Sequence, residues 1–371
     1  MKPKPRARVI AFYLPQFYPI PENDEWWGKG FTEWTNVTKA KPLFRGHYQP
    51  DLPSELGLYD LRLPEIREAQ ADLARTHGIE GFCYWHYWFG NGRRILNRVF
   101  DEVLESRKPD FPFCLAWANE TWSGIWHGAP DKTLIKQEYP GEHDHRAHFE
   151  LLVKAFKDPR YIKIDGKPLF VVYRSQSLPN AAETIRLWKE LARTHGFPGL
   201  VVAGMAAEPW SFREQGFDKL IPSEPSRIRS SARSTLQKIG GKLSDASSRM
   251  FGGDGKPHII HYRDFVRATL KLGKSPKDWF GCVLPNWDNT PRSGSRGIVF
   301  QEPTPELYRQ VLRKAVSDVS AEPWEERIVF MKAWNEWAEG NYLEPSRRFG
   351  RRFLEVTKEE LQQSDGSDDK A

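Results

Sequence analysis

Eight short apolar runs, separated by stretches of helical periodicity, constrain this 371-residue sequence more than anything else in it. The runs cover residues 9–14, 81–85, 113–117, 169–173, 200–204, 217–221, 282–285 and 328–333. Between and after them, helices are predicted over 64–77, 95–106, 145–156, 181–194, 261–272, 305–319 and 351–361. Pro64 opens the first of these, with Glu65 and Glu68 in its first turn, and Gly78 ends it. Such alternation predicts an α/β fold, a (β/α)8 TIM barrel forming a single domain over 1–361. The runs are continuously apolar, as parallel strands covered on both faces should be. An open doubly wound sheet is the alternative. It usually carries a Gly-rich phosphate loop after its first strand, and here that loop is Trp-rich with no G-x-G-x-x-G.

Two connections are too long to be simple turns. Residues 16–63, after the first run, read as one long loop rich in Trp, Gly, Pro and Asn, a length that is usually functional. Residues 223–257 would be an insertion after the sixth run. They carry Arg227, Arg229, Arg233, Lys238, Lys242, Arg249 and Lys256 with many serines. This insertion reads as a mobile surface excursion. The sharper reading is a lid, or a contact patch for an anionic or lipid-linked glycan or a peripheral membrane surface. Residues 362–371 form a polar, acidic tail that is expected to be disordered.

The charge balance, 55 Lys and Arg against 49 Asp and Glu, gives +6 with no compact basic motif, so a nucleic-acid partner is not expected. Cys83, Cys114 and Cys282 show no CxxC pairing and read as small buried hydrophobes. The start of the chain shows no sustained apolar leader, and no stretch reaches the roughly 18 apolar residues of a membrane span. A cytoplasmic protein, free or peripheral to the inner membrane face, is the expectation.

Polar and aromatic residues gather just after the strands, the end at which barrel enzymes carry their active sites. The last run ends in Trp334-Asn335-Glu336-Trp337-Ala338-Glu339-Gly340. In a turn, the i, i+3 spacing puts both carboxylates on one face, roughly 5–6 Å apart at Cβ. Acids set among this much aromatic surface are costly unless they have work to do. Glu336 and Glu339 are therefore the catalytic candidates. An ion pair with Arg292 or Lys332 at the barrel end is the bland alternative.

Candidate substrate-binding residues are Tyr13, Gln16, Glu33, Trp34, Tyr84, His86, Trp117, Asn119, Glu120, Tyr173, Trp287, Asp288, Asn289, Arg292, Trp334, Asn335 and Trp337. Glu208 and Trp210 stand in the same position after the fifth run. Acids, amides and 49 aromatic side chains (15 Trp, 12 Tyr and 22 Phe) suit hydroxyl-rich ligands with apolar ring faces, so an oligo- or polysaccharide is the expected partner. His143, His145 and His148 form the one dense histidine group. They precede or open a helix, so neither a metal nor another cofactor is expected.

Several long stretches carry a resemblance. AFYLPQF (11–17), WWGKGFTEWTNV (26–37), GFCYWHYWF (81–89), WANE (117–120) and WNEWAEG (334–340) resemble the WbsX family. That family is named for glycosyltransferases of bacterial surface polysaccharide loci and is also described as glycoside hydrolase family 99-like. The related family 99 enzymes are (β/α)8 endo-α-mannosidases that retain configuration and carry an E-W-x-E-G motif. The resemblance implies that Glu336 takes the proton from the substrate 2-hydroxyl, which then attacks the anomeric carbon to give a 1,2-anhydro sugar. It implies that Glu339 protonates the leaving oxygen and later activates water or an acceptor hydroxyl. Glu339 would then need a raised pKa, supplied by burial against Trp337 and by ionised Glu336. Ala338 stands where the mannosidases tend to carry His. An ordinary double displacement with Glu336 as nucleophile is the other retaining route. A glycosyltransferase of O-antigen or capsular polysaccharide biosynthesis is the competing function, although no DxD or Gly-rich diphosphate site is evident. A non-catalytic glycan-binding barrel is the third.

Overall fold

The structure, a computed structural model, describes residues 5–124, 129–206, 210–222 and 256–362. The described residues hold eight parallel barrel strands. They are β1 (Arg8–Tyr13), β2 (Ile79–His86), β3 (Phe113–Trp117), β4 (Lys167–Val172), β5 (Val201–Ala206), β6 (Lys219–Pro222), β7 (Gly281–Val283) and β8 (Ile328–Met331). Pairing runs β7-β8-β1-β2-β3-β4-β5-β6. The two ends of that order meet through a parallel bridge between Leu220 and Trp279. There the Leu220 amide donates to the Asp278 carbonyl, and the Phe280 amide to the Leu220 carbonyl, each at 2.9 Å. Closure leaves no free sheet edge, and the expected (β/α)8 architecture is the one observed.

Helices cover the strands on the outside. They are α3 (Pro64–Thr76), α4 (Arg98–Ser106), α5 (Glu142–Phe156), α6 (Ala181–Thr194), α7 (Tyr262–Lys271), α8 (Pro305–Val319) and α9 (Arg352–Gln362). Two shorter helices, α1 (Pro21–Trp27) and α2 (Glu33–Lys39), lie inside the segment read from sequence as one long loop. Their few turns are too short to show a clear helical period. An antiparallel hairpin of Trp122–Gly124 with Ala129–Ile135 was also not foreseen. Residues 223–255 of the basic insertion, the tail from 363 onward and Glu208 lie outside the described residues.

Side chains alternate across each strand, so every strand feeds two layers. One set points into the barrel. Phe12 stacks on Trp85 with ring centres 4.8 Å apart and on Phe330 at 5.2 Å. The other set packs under the helices. The Tyr13 hydroxyl donates to Gln70 of α3 at 2.6 Å, and Tyr84 meets Phe100 of α4 at 5.4 Å. Trp117 packs on Trp188 of α6 at 5.9 Å. Phase along the strand therefore decides which residues reach the mouth of the barrel.

Candidate active site

An open cleft of about 450 Å³ occupies the C-terminal end of the strands, a volume ordinary for a small-ligand or sugar site. Its lining includes Glu336 and Glu339 after β8, Arg292 after β7, Glu33 of α2, Trp85 and Tyr87 of and after β2, and Tyr173 and Arg174 after β4. Glu336 pairs with Asn341 in a two-residue antiparallel ladder, and Trp337–Glu339 then forms one tight 3-10 turn. That break brings both acids to the same wall.

Arg292 organises the wall. Its Nη1 donates to Glu339 Oε1 at 2.6 Å, and its Nη2 lies 3.4 Å from Glu336 Oε2. Its Nε donates to Glu33 Oε2 at 3.1 Å. The ion pair foreseen as the bland alternative thus exists, and it gathers three carboxylates into one cleft. Burial works against the guanidinium charge, but Glu33, Glu339 and Glu336 outweigh it and raise the Arg292 pKa. Trp85 Nε1 donates to the other oxygen of Glu336 at 3.0 Å. Burial pushes the Glu336 carboxyl up to about 7; the charge of Glu339 adds to this, and Arg292 and Lys332 oppose it.

Backbone contacts fix the two loops against each other. The Asp288 amide donates to the Glu339 carbonyl at 2.6 Å. Asp288 itself accepts from His47 and Gln49, each at 2.7 Å, and caps the turn Thr290–Ser293 that carries Arg292, through Thr290. Asn289 Oδ1 accepts from the Ile298 amide at 2.7 Å. Asn335 bonds both ways with the Leu14 backbone, accepting at 2.7 Å and donating at 3.0 Å. This ties the loop after β8 to the one after β1.

A family model described as glycosyltransferase WbsX matches residues 9–357. The chain belongs to the WbsX family. The uncharacterised protein WxcX of Xanthomonas campestris pv. campestris is 36% identical over 357 residues, which are 96% of this chain and 50% of that protein. The chain thus spans half the length of that relative. Among solved structures, a glycoside hydrolase-like protein superposes with a TM-score of 0.58 at 14% identity, covering 98% of this chain and 96% of the other. The GH99 endo-α-mannosidase of Bacteroides thetaiotaomicron gives 0.54 at 16% identity, over 95% and 96%. At such identities these two establish the barrel fold.

In this WbsX chain, seven of the residues picked from sequence line the cleft: Gln16, Glu33, Glu120, Tyr173, Arg292, Glu336 and Glu339. The others stand behind it. Tyr13, Tyr84, His86 and Trp117 have the outward phase of their strands. His86 meets His148 of α5, Nε2 to Nε2 at 2.9 Å, and burial pushes its pKa down to about 3. Trp34 donates to the Tyr59 carbonyl at 2.7 Å and Trp334 packs on Phe82. Asn119 holds the Arg174 backbone, accepting at 2.8 Å and donating at 3.1 Å. Trp287 lies beneath Lys332, with the ammonium 5.1 Å from its ring centre. Trp337 turns away from the cleft, stacks on Tyr342 at 3.8 Å and donates to Glu344 at 2.6 Å, so it is not the apolar cover expected for Glu339.

Sequence reading passed over Trp85, Tyr87 and Arg174, and named Lys332 only as a possible ion-pair partner of the two acids. For Trp85 and Tyr87, strand phase is the signal that would have found them. Trp85 and Tyr87 sit one step out of phase with Tyr84 and His86, and in a continuously apolar run the two phases look alike. Among the described residues no cluster of His, Cys, Asp and Glu is arranged to hold a metal ion. No described helix is long and apolar enough to cross a membrane.

Proposed function

We propose that this chain cleaves or transfers glycosidic bonds of a bacterial surface-type polysaccharide with retention of configuration. The observation that carries this reading is the pair Glu336 and Glu339 on one wall of an aromatic cleft, both reached by the single guanidinium of Arg292. One fork serving two acids suits the roughly 5–5.5 Å separation of retaining enzymes. Glu336 acts as the base toward the sugar 2-hydroxyl, or as the nucleophile of an ordinary double displacement. A carboxyl pushed up to about 7 is a stronger base than an ordinary glutamate and still ionises near neutrality. Glu339 delivers a proton to the leaving oxygen and takes one from the incoming water or hydroxyl. Arg292 counters the charge on both acids as the proton moves.

The family description supports a second reading, a transferase of O-antigen or capsular polysaccharide assembly. In that case an acceptor hydroxyl replaces water. Incubation with defined oligosaccharides and sugar nucleotides, followed by mass analysis and anomeric NMR, separates the two. Free sugar of retained configuration without any nucleotide donor supports the hydrolase. Nucleotide diphosphate release that needs an acceptor supports the transferase. Inverted product from either substrate class would rule out the proposed mechanism.

A further inference from the structure

Lys332 follows β8 directly and is 6% exposed, with its side chain at the cleft wall. Its ammonium rests near the Trp287 ring, 5.1 Å from the centre. Among the described residues it makes no hydrogen bond and no ion pair. The nearby acids are already engaged: Arg292 holds oxygens of Glu33, Glu336 and Glu339, and Trp85 takes the remaining oxygen of Glu336. Burial disfavours the Lys332 charge, yet Tyr173, Glu339 and Glu336 acting through space outweigh it and raise its pKa. The group is therefore a cation at neutral pH with three unused donors. The side chain is packed against Trp287, and the ammonium is left with three donors for whatever fills the cleft.

Its neighbour across the cleft is in a similar state. Tyr173 makes no hydrogen bond through its hydroxyl among the described residues, and the Arg174 guanidinium sits 4.5 Å over its ring. Tyr173 also meets Trp85 edge-on at 5.3 Å, and Trp85 is bonded to Glu336. Lys332 and Tyr173 thus face the space that a sugar ring would fill when its anomeric carbon lies beside the two catalytic candidates.

We infer that Lys332, with Tyr173, receives an anionic substituent, a carboxylate or a phosphate, on the sugar seated against Glu336 and Glu339. This rests on the glycan-cleft reading above. A neutral hydroxyl can accept one bond from the ammonium but brings no counter-charge of its own. A carboxylate or phosphate oxygen accepts a charge-assisted bond and supplies the counter-charge.

The test is binding of matched ligand series to the full chain by calorimetry. Glucose, galactose and mannose oligosaccharides are compared with their 6-carboxylate and 6-phosphate forms. At least one acidic form should bind about tenfold or more tightly than its neutral parent. Lys332→Met should bring that ratio close to one, with thermal melting recorded to confirm a folded protein. A stronger carboxylate form assigns a uronate, and a stronger phosphate form a sugar phosphate. Equal binding of neutral and acidic forms would overturn the inference and leave the glycan reading intact. A ratio unchanged in Lys332→Met would overturn it as well. Failure of every member to bind would reject the glycan reading itself, and this inference with it.

Discussion

One guanidinium serving three acids sets the charge balance of the cleft, so Arg292 is the residue whose loss should be most informative. Its charge lowers the Glu336 pKa, against burial and Glu339, which raise it. Removing that charge in Arg292→Gln leaves only the raising influences and the weaker help of Lys332. Glu336 works as a base or nucleophile only when ionised, so activity should climb as pH passes its pKa near 7. In Arg292→Gln the rising limb of the kcat/KM profile should move to higher pH. An unmoved limb would mean that Glu336 does not govern it. Glu339→Gln keeps the shape of the side chain but removes the transferable proton. It should cost about 10²–10⁴-fold in kcat, measured as product release, with melting within a few degrees of wild type. Wild-type-like turnover by this variant would sink the assignment. At this scale the sequence made the acids plain, because E-W-x-E-G marks both. It also offered Arg292 as an ion-pair partner for them, but did not show that the same guanidinium would hold Glu33 as well.

Loops, rather than strands, carry the site, and two of them are locked by a close approach. Gly340 has φ +59°, and a Cβ added there would lie 2.7 Å from the Asp288 amide nitrogen and 2.8 Å from its Cβ. The same Asp288 amide holds the Glu339 carbonyl, so the contact that demands glycine also aims the second acid. Gly340→Ala must push the loop after β7 away from the loop after β8. We expect a loss of about 1–3 kcal/mol, read as a melting temperature several degrees lower, together with a fall in kcat as Arg292 moves off Glu339. Unchanged melting and turnover would show that the two loops are not coupled. Elements were legible where burial alone decides them. All eight barrel strands fall within or beside the apolar runs, even the weak sixth. What could not be read was phase: Tyr84 and His86 looked as suitable as Trp85 and Tyr87, because both faces of a barrel strand are apolar. The helices α1 and α2 were missed because each is seven residues long and is held by tertiary contacts rather than by its own periodicity.

Across the whole molecule, burial of titratable groups makes stability depend on pH in two opposed ways. Among the described residues three carboxyls have raised pKa values: Glu336 and Glu344 at about 7 and Asp51 at about 6, burial being the main cause in each. For these the folded protein holds the proton longer than the unfolded chain. Their contribution is fully present below the ordinary carboxylate range and is lost as pH rises to about 7. Among the described residues three buried histidines, His86, His145 and His148, run the other way. Burial pushes His86 down to about 3 and His148 well below its ordinary value. Their contribution is present above about 6.5 and is lost as pH falls. Between pH 4.5 and 6.5 the two sets partly cancel, so the wild-type curve cannot isolate either. A single substitution can. Glu344 accepts from Tyr59, Gln70 and Trp337 behind the loop after β8, at 2.9, 2.7 and 2.6 Å, and is not among the residues that line the cleft. Glu344→Gln cannot ionise. Its stability relative to wild type should therefore rise as pH goes from about 4.5 to 7, whatever constant cost the lost oxygen imposes. The gap between the ordinary value of 4.5 and about 7 corresponds to on the order of 3 kcal/mol. Denaturant unfolding of both proteins at matched pH values measures this difference directly. A difference that stays flat across the window would mean that Glu344 is ionised in the folded protein well below neutrality, and that its three donors outweigh its burial.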